Sequence, residues 1–87
     1  MNKKILELRV QLDNIDKNIL QLLEERMDII HQVGCMKYKL NIPIEDIDRE
    51  EKIINKLKNL SKNNLTENQL KNLFKIIFNF SKIEQNN

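Results

Sequence analysis

The first 40 residues of the chain follow one heptad register, in which every a and d position from Ile5 to Met36 except one is apolar. The a and d positions of this repeat are occupied by Ile5, Leu8, Leu12, Ile15, Ile19, Leu22, Arg26, Ile29, Val33 and Met36. Such a seam is typical of one continuous helix that packs along its whole length. The sequence therefore predicts a helix over about residues 4–40, beginning at Lys3 or Lys4, and no other segment constrains the fold as strongly.

This helix is too long for one short chain to cover. At about 1.5 Å per residue it would extend for roughly 55 Å, whereas a compact chain of 87 residues has a radius of gyration of only ~12 Å. Part of the seam must then be covered by a second copy, so we expect a homodimer. Gly34 lies inside the helix, where we expect it to allow a close approach of a partner's backbone.

Two shorter helices are predicted after a break at Pro43, which cannot continue the first helix. Asp46 is a good N-cap for a second helix over residues 46–61. Thr66 and Gln69 form a capping-box pattern that opens a third helix over residues 67–85. Apolar residues recur at helical spacing in both segments. The predicted fold class is all-α, with residues 1–87 forming a single domain.

Composition and charge exclude several classes of protein. The net charge of +2, with both signs mixed along the chain, argues against binding to nucleic acid or to an anionic membrane. No apolar run approaches transmembrane length, and Glu7 and Arg9 leave no room for the apolar segment of a signal peptide. Cys35, the only cysteine, excludes an internal disulfide and suits a reducing compartment. We therefore expect a cytoplasmic protein.

Polar side chains interrupt faces that should be buried. Arg26 occupies the apolar seam, where a guanidinium costs several kcal/mol unless an anion pairs with it. The other polar residues on or beside such faces, or at the start of the second helix, are Arg9, Lys37, Asp46, Arg49, Glu50, Ser81 and Gln85. Each has an ordinary explanation when taken alone, such as an ion pair with a partner helix for Arg26 or a helix cap for Asp46. Together they predict a pocket between helices for a ligand with about two negative charges.

Arginine is scarce in this chain, since only Arg9, Arg26 and Arg49 occur among 15 basic residues. Arginine differs from lysine in holding a planar carboxylate with two parallel hydrogen bonds. We interpret the three arginines as positions where lysine would not serve.

The sequence shows no arrangement typical of a nucleophile or of a metal site. His31 and Cys35 fall on heptad positions f and c, away from the seam, and no cluster has the spacing of metal ligands. No metal and no cofactor are expected. Such a pocket suits either simple binding or a reaction that needs only positioning and electrostatic stabilisation.

Several motifs along the chain match one protein family. They are Leu8-Arg9, Asp16, Leu22-Leu23 with Glu25-Arg26, Val33-Gly34 with Lys37, Asp46-Ile47-Asp48-Arg49-Glu50 after Pro43, Leu73-Phe74, and Ser81 with Gln85. With these residues the chain resembles the all-helical class of chorismate mutases over essentially its whole length. The resemblance implies an intertwined homodimer of three-helix protomers that uses no cofactor. It also implies the rearrangement of chorismate to prephenate in aromatic amino-acid biosynthesis, the shikimate pathway.

The resemblance also implies a role for each polar residue. Arg26 would bind one substrate carboxylate, and Arg9 of the partner subunit would bind a carboxylate in the same pocket. Lys37 and Gln85 would donate hydrogen bonds to the ether oxygen, where negative charge grows as the C–O bond breaks. The remaining contacts, to the ring hydroxyl and the carboxylates, would come from Asp46, Glu50, Arg49 and Ser81. The residues that act on the reacting atoms or hold the substrate for reaction would be Lys37, Gln85, Glu50 and Arg26.

Two other functions remain open at this point. An isochorismate pyruvate lyase of the same fold uses a similar set of cations, although the position after the arginine of its second helix is apolar, where this chain has Glu50. A non-catalytic helical dimerisation module would tolerate Arg26→Ala, because that change removes a buried charge.

Overall fold

A computed structural model describes residues 2–86 and contains three α-helices. Helix α1 spans Lys3–Leu40, α2 spans Ile47–Leu60 and α3 spans Glu67–Gln85. No strand occurs between residues 2 and 86, so the predicted all-helical, three-helix protomer is confirmed. No helix in this range is both long and apolar enough to cross a membrane.

Side-chain and backbone caps set the ends of the helices. Asn2 accepts hydrogen bonds from the first turn of α1, which begins at Lys3. Asn41 ends α1 with a φ of 59°, in the left-handed region that asparagine tolerates. Asp46 is the N-cap of α2 and Ser61 is its C-cap, so that the predicted range of about 46–61 includes both caps. Thr66 opens α3 with the predicted capping box.

The small core of the protomer lies where α3 packs against both other helices, while α1 and α2 do not pack on each other. Its buried apolar side chains are Ile54, Leu70 and Phe78. Ser81 is the buried polar residue of α3, and Gly34 is the buried residue of α1. Helix α3 is therefore the element that positions side chains of the other two helices.

The N-terminal two thirds of α1 lies outside this core. Every residue from 2 to 25 is exposed in the protomer. The apolar seam residues Ile5 to Leu22 retain between 45% and 63% of their accessible surface. The protomer extends over 57 × 25 × 16 Å and has a radius of gyration of 16.5 Å, against ~12 Å for a compact chain of this length. A continuous apolar face along α1 is thus left uncovered by its own chain.

Gly34 packs against a different neighbour from the one predicted. A Cβ atom on Gly34 would lie 2.7 Å from both Cα and the carbonyl oxygen of Gln85 in α3. The close backbone approach is therefore made to the same chain, and the prediction that Gly34 meets a partner was wrong. The sequence could show that glycine was needed here, but the helix that α1 meets at this point depends on the tertiary fold.

Candidate active site

Arg26 and Ser81 form the centre of the candidate site. Arg26 Nη1 donates a hydrogen bond of 2.5 Å to Ser81 Oγ, and Ser81 Oγ donates its own proton to the carbonyl oxygen of Ile77 at 2.8 Å. Because the hydroxyl proton points toward Ile77, a lone pair faces the guanidinium. The buried serine of α3 thereby fixes the one arginine that interrupts the seam of α1.

Arg49 of α2 lies close enough to Arg26 for their charges to interact. Partial burial and, to a lesser degree, the charge of Arg49 lower the pKa of Arg26 from its ordinary value. Arginine remains protonated despite such a shift. Among residues 2–86 no carboxylate lies within ion-pair distance of either guanidinium. Two neighbouring cations without a protein anion favour the binding of an anionic ligand.

Lys37 and Gln85 line one open cavity of about 850 Å³ at the C-terminal end of α1. Lys37 Nζ donates to the carbonyl oxygen of Ile44 at 2.9 Å. Gln85 Nε2 donates to the carbonyl oxygen of Ser81 at 3.3 Å, while Gln85 Oε1 is buried and has no hydrogen-bond partner within residues 2–86. Ser81 thus holds Arg26 with its hydroxyl and Gln85 with its backbone, which joins the two parts of the site.

Glu50 faces a different surface, a groove of about 540 Å³ between α2 and α3. Lys82 Nζ lies 3.3 Å from Glu50 Oε2 and 3.3 Å from Glu45 Oε1. Hydrogen bonds to Glu50 and to Glu45 raise the pKa of Lys82 above its ordinary value. The sequence analysis missed Lys82. Lys82 lies four residues after Phe78 and therefore on the buried stripe of α3, and this spacing could have identified it from the sequence.

Asp46 and Arg9 lie apart from these groups. Asp46 is exposed and caps α2, and its Oδ1 accepts a hydrogen bond from the backbone N–H of Arg49 at 3.0 Å. Arg9 is exposed near the other end of α1. The helical rise places the backbone of Arg9 about 25 Å from that of Arg26, farther than one small ligand can bridge. A single protomer therefore brings Arg26, Ser81 and Arg49 together and links them to Gln85 through Ser81. Glu50, Asp46 and Arg9 lie outside this group.

A histidine and a cysteine lie closer together than the sequence analysis recognised. His31 Nε2 is 3.9 Å from Cys35 Sγ, and His31 Nδ1 is 3.5 Å from Glu84 Oε1. Both His31 and Cys35 are exposed. No group of three or more His, Cys, Asp or Glu side chains in residues 2–86 is arranged to hold a metal ion. The contact between His31 and Glu84 ties the end of α3 to α1.

Residues 8–86 match the family described as chorismate mutase type II. The chain belongs to that family. The family membership expected from the sequence motifs is confirmed, and the three helices form a chorismate mutase domain. This domain is 36% identical over 86 residues to the chorismate mutase of Methanocaldococcus jannaschii, covering 98% of this chain and 87% of that protein.

Other relatives contain the chorismate mutase domain within a longer protein. The domain is 43% identical over 82 residues to a bifunctional chorismate mutase/prephenate dehydratase of Buchnera aphidicola subsp. Schizaphis graminum. That match covers 93% of this chain and 21% of the relative. The chain thus spans about a fifth of the length of such bifunctional relatives.

A solved structure shares the fold of the domain. It is described as a conserved hypothetical protein from Pyrococcus furiosus, with a TM-score of 0.81 and 30% sequence identity. The match covers 98% of this chain and 99% of that chain. The long first helix and the two shorter helices therefore occur together in a second protein.

Proposed function

We propose that this domain rearranges chorismate to prephenate, an isomerisation in aromatic amino-acid biosynthesis. The observation that carries the proposal is the Arg26 guanidinium, fixed by Ser81 beside Arg49 with no carboxylate of residues 2–86 to neutralise the pair. Chorismate has two carboxylates, and guanidinium groups bind carboxylates through paired, charge-assisted hydrogen bonds. The matched relative named chorismate mutase, covered over most of its length, supports the same activity.

The reaction requires no nucleophile, because one C–O bond breaks while one C–C bond forms within the same molecule. Arginines that hold both carboxylates keep the substrate folded and remove rotational freedom before the barrier is reached. Negative charge grows on the ether oxygen as the C–O bond breaks. Lys37 and Gln85, which line one cavity, would donate hydrogen bonds to this oxygen. Such donors bind the transition state more tightly than the ground state.

Gln85 is suited to this role by its incomplete hydrogen bonding. Its Oε1 is buried without a partner in the described chain, and its Nε2 has one long bond of 3.3 Å to Ser81. A buried acceptor without a partner is unfavourable. If the amide turns Nε2 toward a bound substrate, it breaks only the long hydrogen bond to the carbonyl oxygen of Ser81. Glu50 and Asp46, at the start of α2, would accept hydrogen bonds from the ring hydroxyl.

We also propose that the domain works as an intertwined homodimer in which each α1 spans both protomers. The uncovered apolar face over residues 2–25 needs such a partner. The same arrangement would bring Arg9 of the partner subunit to the site around Arg26. Arg9 of the same chain cannot reach that site, because its backbone lies about 25 Å from that of Arg26 along α1. The sole cysteine, Cys35, is free, which suits the cytoplasm as the proposed location.

The direct test is to add chorismate to the purified protein, follow its loss and identify the product. Formation of prephenate in proportion to protein concentration, abolished by Arg26→Ala, is the expected result. A parallel reaction with isochorismate tests the lyase activity. If isochorismate releases pyruvate while chorismate yields no prephenate, the lyase activity replaces the proposed function. No reaction with either substrate by a folded dimer would indicate a non-catalytic module.

A further inference from the structure

Two consecutive residues of α3 hold one polar residue from each of the other helices. Ser81 accepts a hydrogen bond from Arg26 of α1, and Lys82 pairs with Glu50 of α2. We propose that Lys82 is a positioning residue for Glu50, holding its carboxylate ready to accept a hydrogen bond from a hydroxyl of the substrate. This inference rests on the proposed function, because the hydroxyl that Glu50 would bind is the ring hydroxyl of chorismate.

Glu50 is held by a cation of α3. Within residues 2–86, Lys82 is the one side chain that forms an ion pair with Glu50. The two side chains are partly shielded, with 32% of Lys82 and 26% of Glu50 accessible. An ionised carboxylate only accepts hydrogen bonds, so it can bind a hydroxyl without competing donors of its own. The ammonium group of Lys82, 3.3 Å from Glu50 Oε2, also restrains the position of the carboxylate.

Lys82 also offsets the negative charge that Glu50 would present to a dianionic substrate. A dianion is repelled by any carboxylate that lies within a few Å of it in a partly shielded pocket. Lys82 offsets the charge of Glu50 through a 3.3 Å contact. Glu50 can then act as an acceptor with less repulsion toward the substrate carboxylates. The second partner of Lys82, Glu45, is more exposed, with 62% of its side chain accessible, so water screens its charge more strongly.

The prediction concerns KM more than kcat. A hydrogen bond to a ring hydroxyl is made in the ground state and in the transition state alike, so its loss weakens binding without changing the chemical step. We expect Lys82→Met to raise KM about three- to five-fold, the range of a partly exposed ion pair, and to leave kcat within about two-fold. Lys82→Arg, which keeps a cation, should restore most of the affinity.

Three further variants separate positioning from a purely structural role. Lys75→Met removes a cation from the same face of α3, two helical turns earlier and in the same groove, and should leave KM unchanged. Glu45→Gln removes the other partner of Lys82 and should also leave KM unchanged. In a Glu50→Gln background, Lys82→Met should have no further effect on KM. A purely structural role would instead lower the folded fraction, which decreases apparent kcat at constant KM.

A measurement without substrate keeps this inference separable from the proposed activity. The ¹⁵N chemical shift of Lys82 Nζ, followed through an alkaline titration, should show loss of its proton at lower pH in Glu50→Gln than in the wild type. An identical titration in both proteins would overturn the pairing. An unchanged KM in Lys82→Met, with the pairing intact, would overturn the positioning role alone. If the wild-type protein does not react with chorismate, the proposed function and the role of Lys82 in it are both overturned. The titration would still decide whether Lys82 and Glu50 form a pair.

Discussion

Gly34 of α1 lies against the backbone of Gln85 in the last turn of α3, where a Cβ atom would fall 2.7 Å from Gln85 Cα. The contact with His31 ties the neighbouring Glu84 to the same helix. The C-terminal turn of α3, which would otherwise fray, is thereby held on α1. Gln85 is thus positioned by backbone packing, and not only by its own helix.

We expect Gly34→Ala to impair catalysis more than it impairs folding. The added methyl group meets backbone atoms that cannot rotate away, so the end of α3 must shift. Over-packing of this kind destabilises proteins by about 1–3 kcal/mol, while a displacement of ~1 Å in a catalytic group can lower the rate by up to ~100-fold. We predict a decrease in kcat of about 10- to 100-fold. Steady-state kinetics and thermal unfolding, with the adjacent exposed Cys35→Ala as control, check this.

A change in Tm with unchanged kcat would show that the packing of Gly34 has no effect on the position of Gln85. Equal losses in Gly34→Ala and Cys35→Ala would indicate a general disturbance of α1.

Arg26 should be necessary for activity but not for stability. Arg26→Lys keeps a charge but loses the planar fork that binds a carboxylate through two hydrogen bonds, so we expect kcat/KM to fall by on the order of 100-fold. Arg26→Ala should abolish measurable activity while the free energy of unfolding stays equal or rises, because a partly buried charge is removed. Kinetics and denaturant unfolding of both variants measure these effects. Retained activity in Arg26→Ala would exclude Arg26 as the carboxylate ligand.

The stabilising effect of Lys82 should disappear in alkaline solution. Its pKa in the folded protein is raised by Glu50 and Glu45. The stabilisation is therefore fully present below the pKa of a lysine in an unfolded chain, ~10.4, and is lost as the pH rises through the higher folded value. The Tm difference between the wild type and Lys82→Met should be constant from neutral pH to about pH 10 and should shrink above it. The Tm difference between the wild type and Lys75→Met should not shrink in this way. A Tm difference for Lys82→Met that stays constant at high pH would contradict the pairing of Lys82 with Glu50 and Glu45.

Local spacing in the sequence was sufficient for the helices and for the placement of Glu50. The heptad seam and the caps at Asp46 and Thr66 depend on neighbours within a few residues. Glu50 is three residues after Ile47 and four before Ile54, which placed it on the inner face of α2. Such regularities follow from the geometry of a single helix and need no knowledge of the tertiary structure.

The partners of these residues could not be predicted in the same way. Lys82 and Glu50 are 3.3 Å apart across two helices, and that distance depends on how α2 and α3 are rotated when they pack. The same limit explains the wrong partner predicted for Gly34 and the missed contact between His31 and Glu84. Periodicity identifies the face on which a residue lies, whereas the residue opposite is set by the packing of the whole chain.

In the proposed homodimer, each site is assembled from two chains, with Arg26 from one protomer and Arg9 from its partner. The most direct test mixes two inactive variants, Arg9→Ala and Arg26→Ala, under conditions that allow subunit exchange. A heterodimer then contains one site with both arginines and one with neither, so random exchange of equal amounts should restore roughly a quarter of the wild-type activity. Restored activity in verified heterodimers is the predicted result. Heterodimers as inactive as the parent variants would place both arginines in the site of a single protomer and contradict the account.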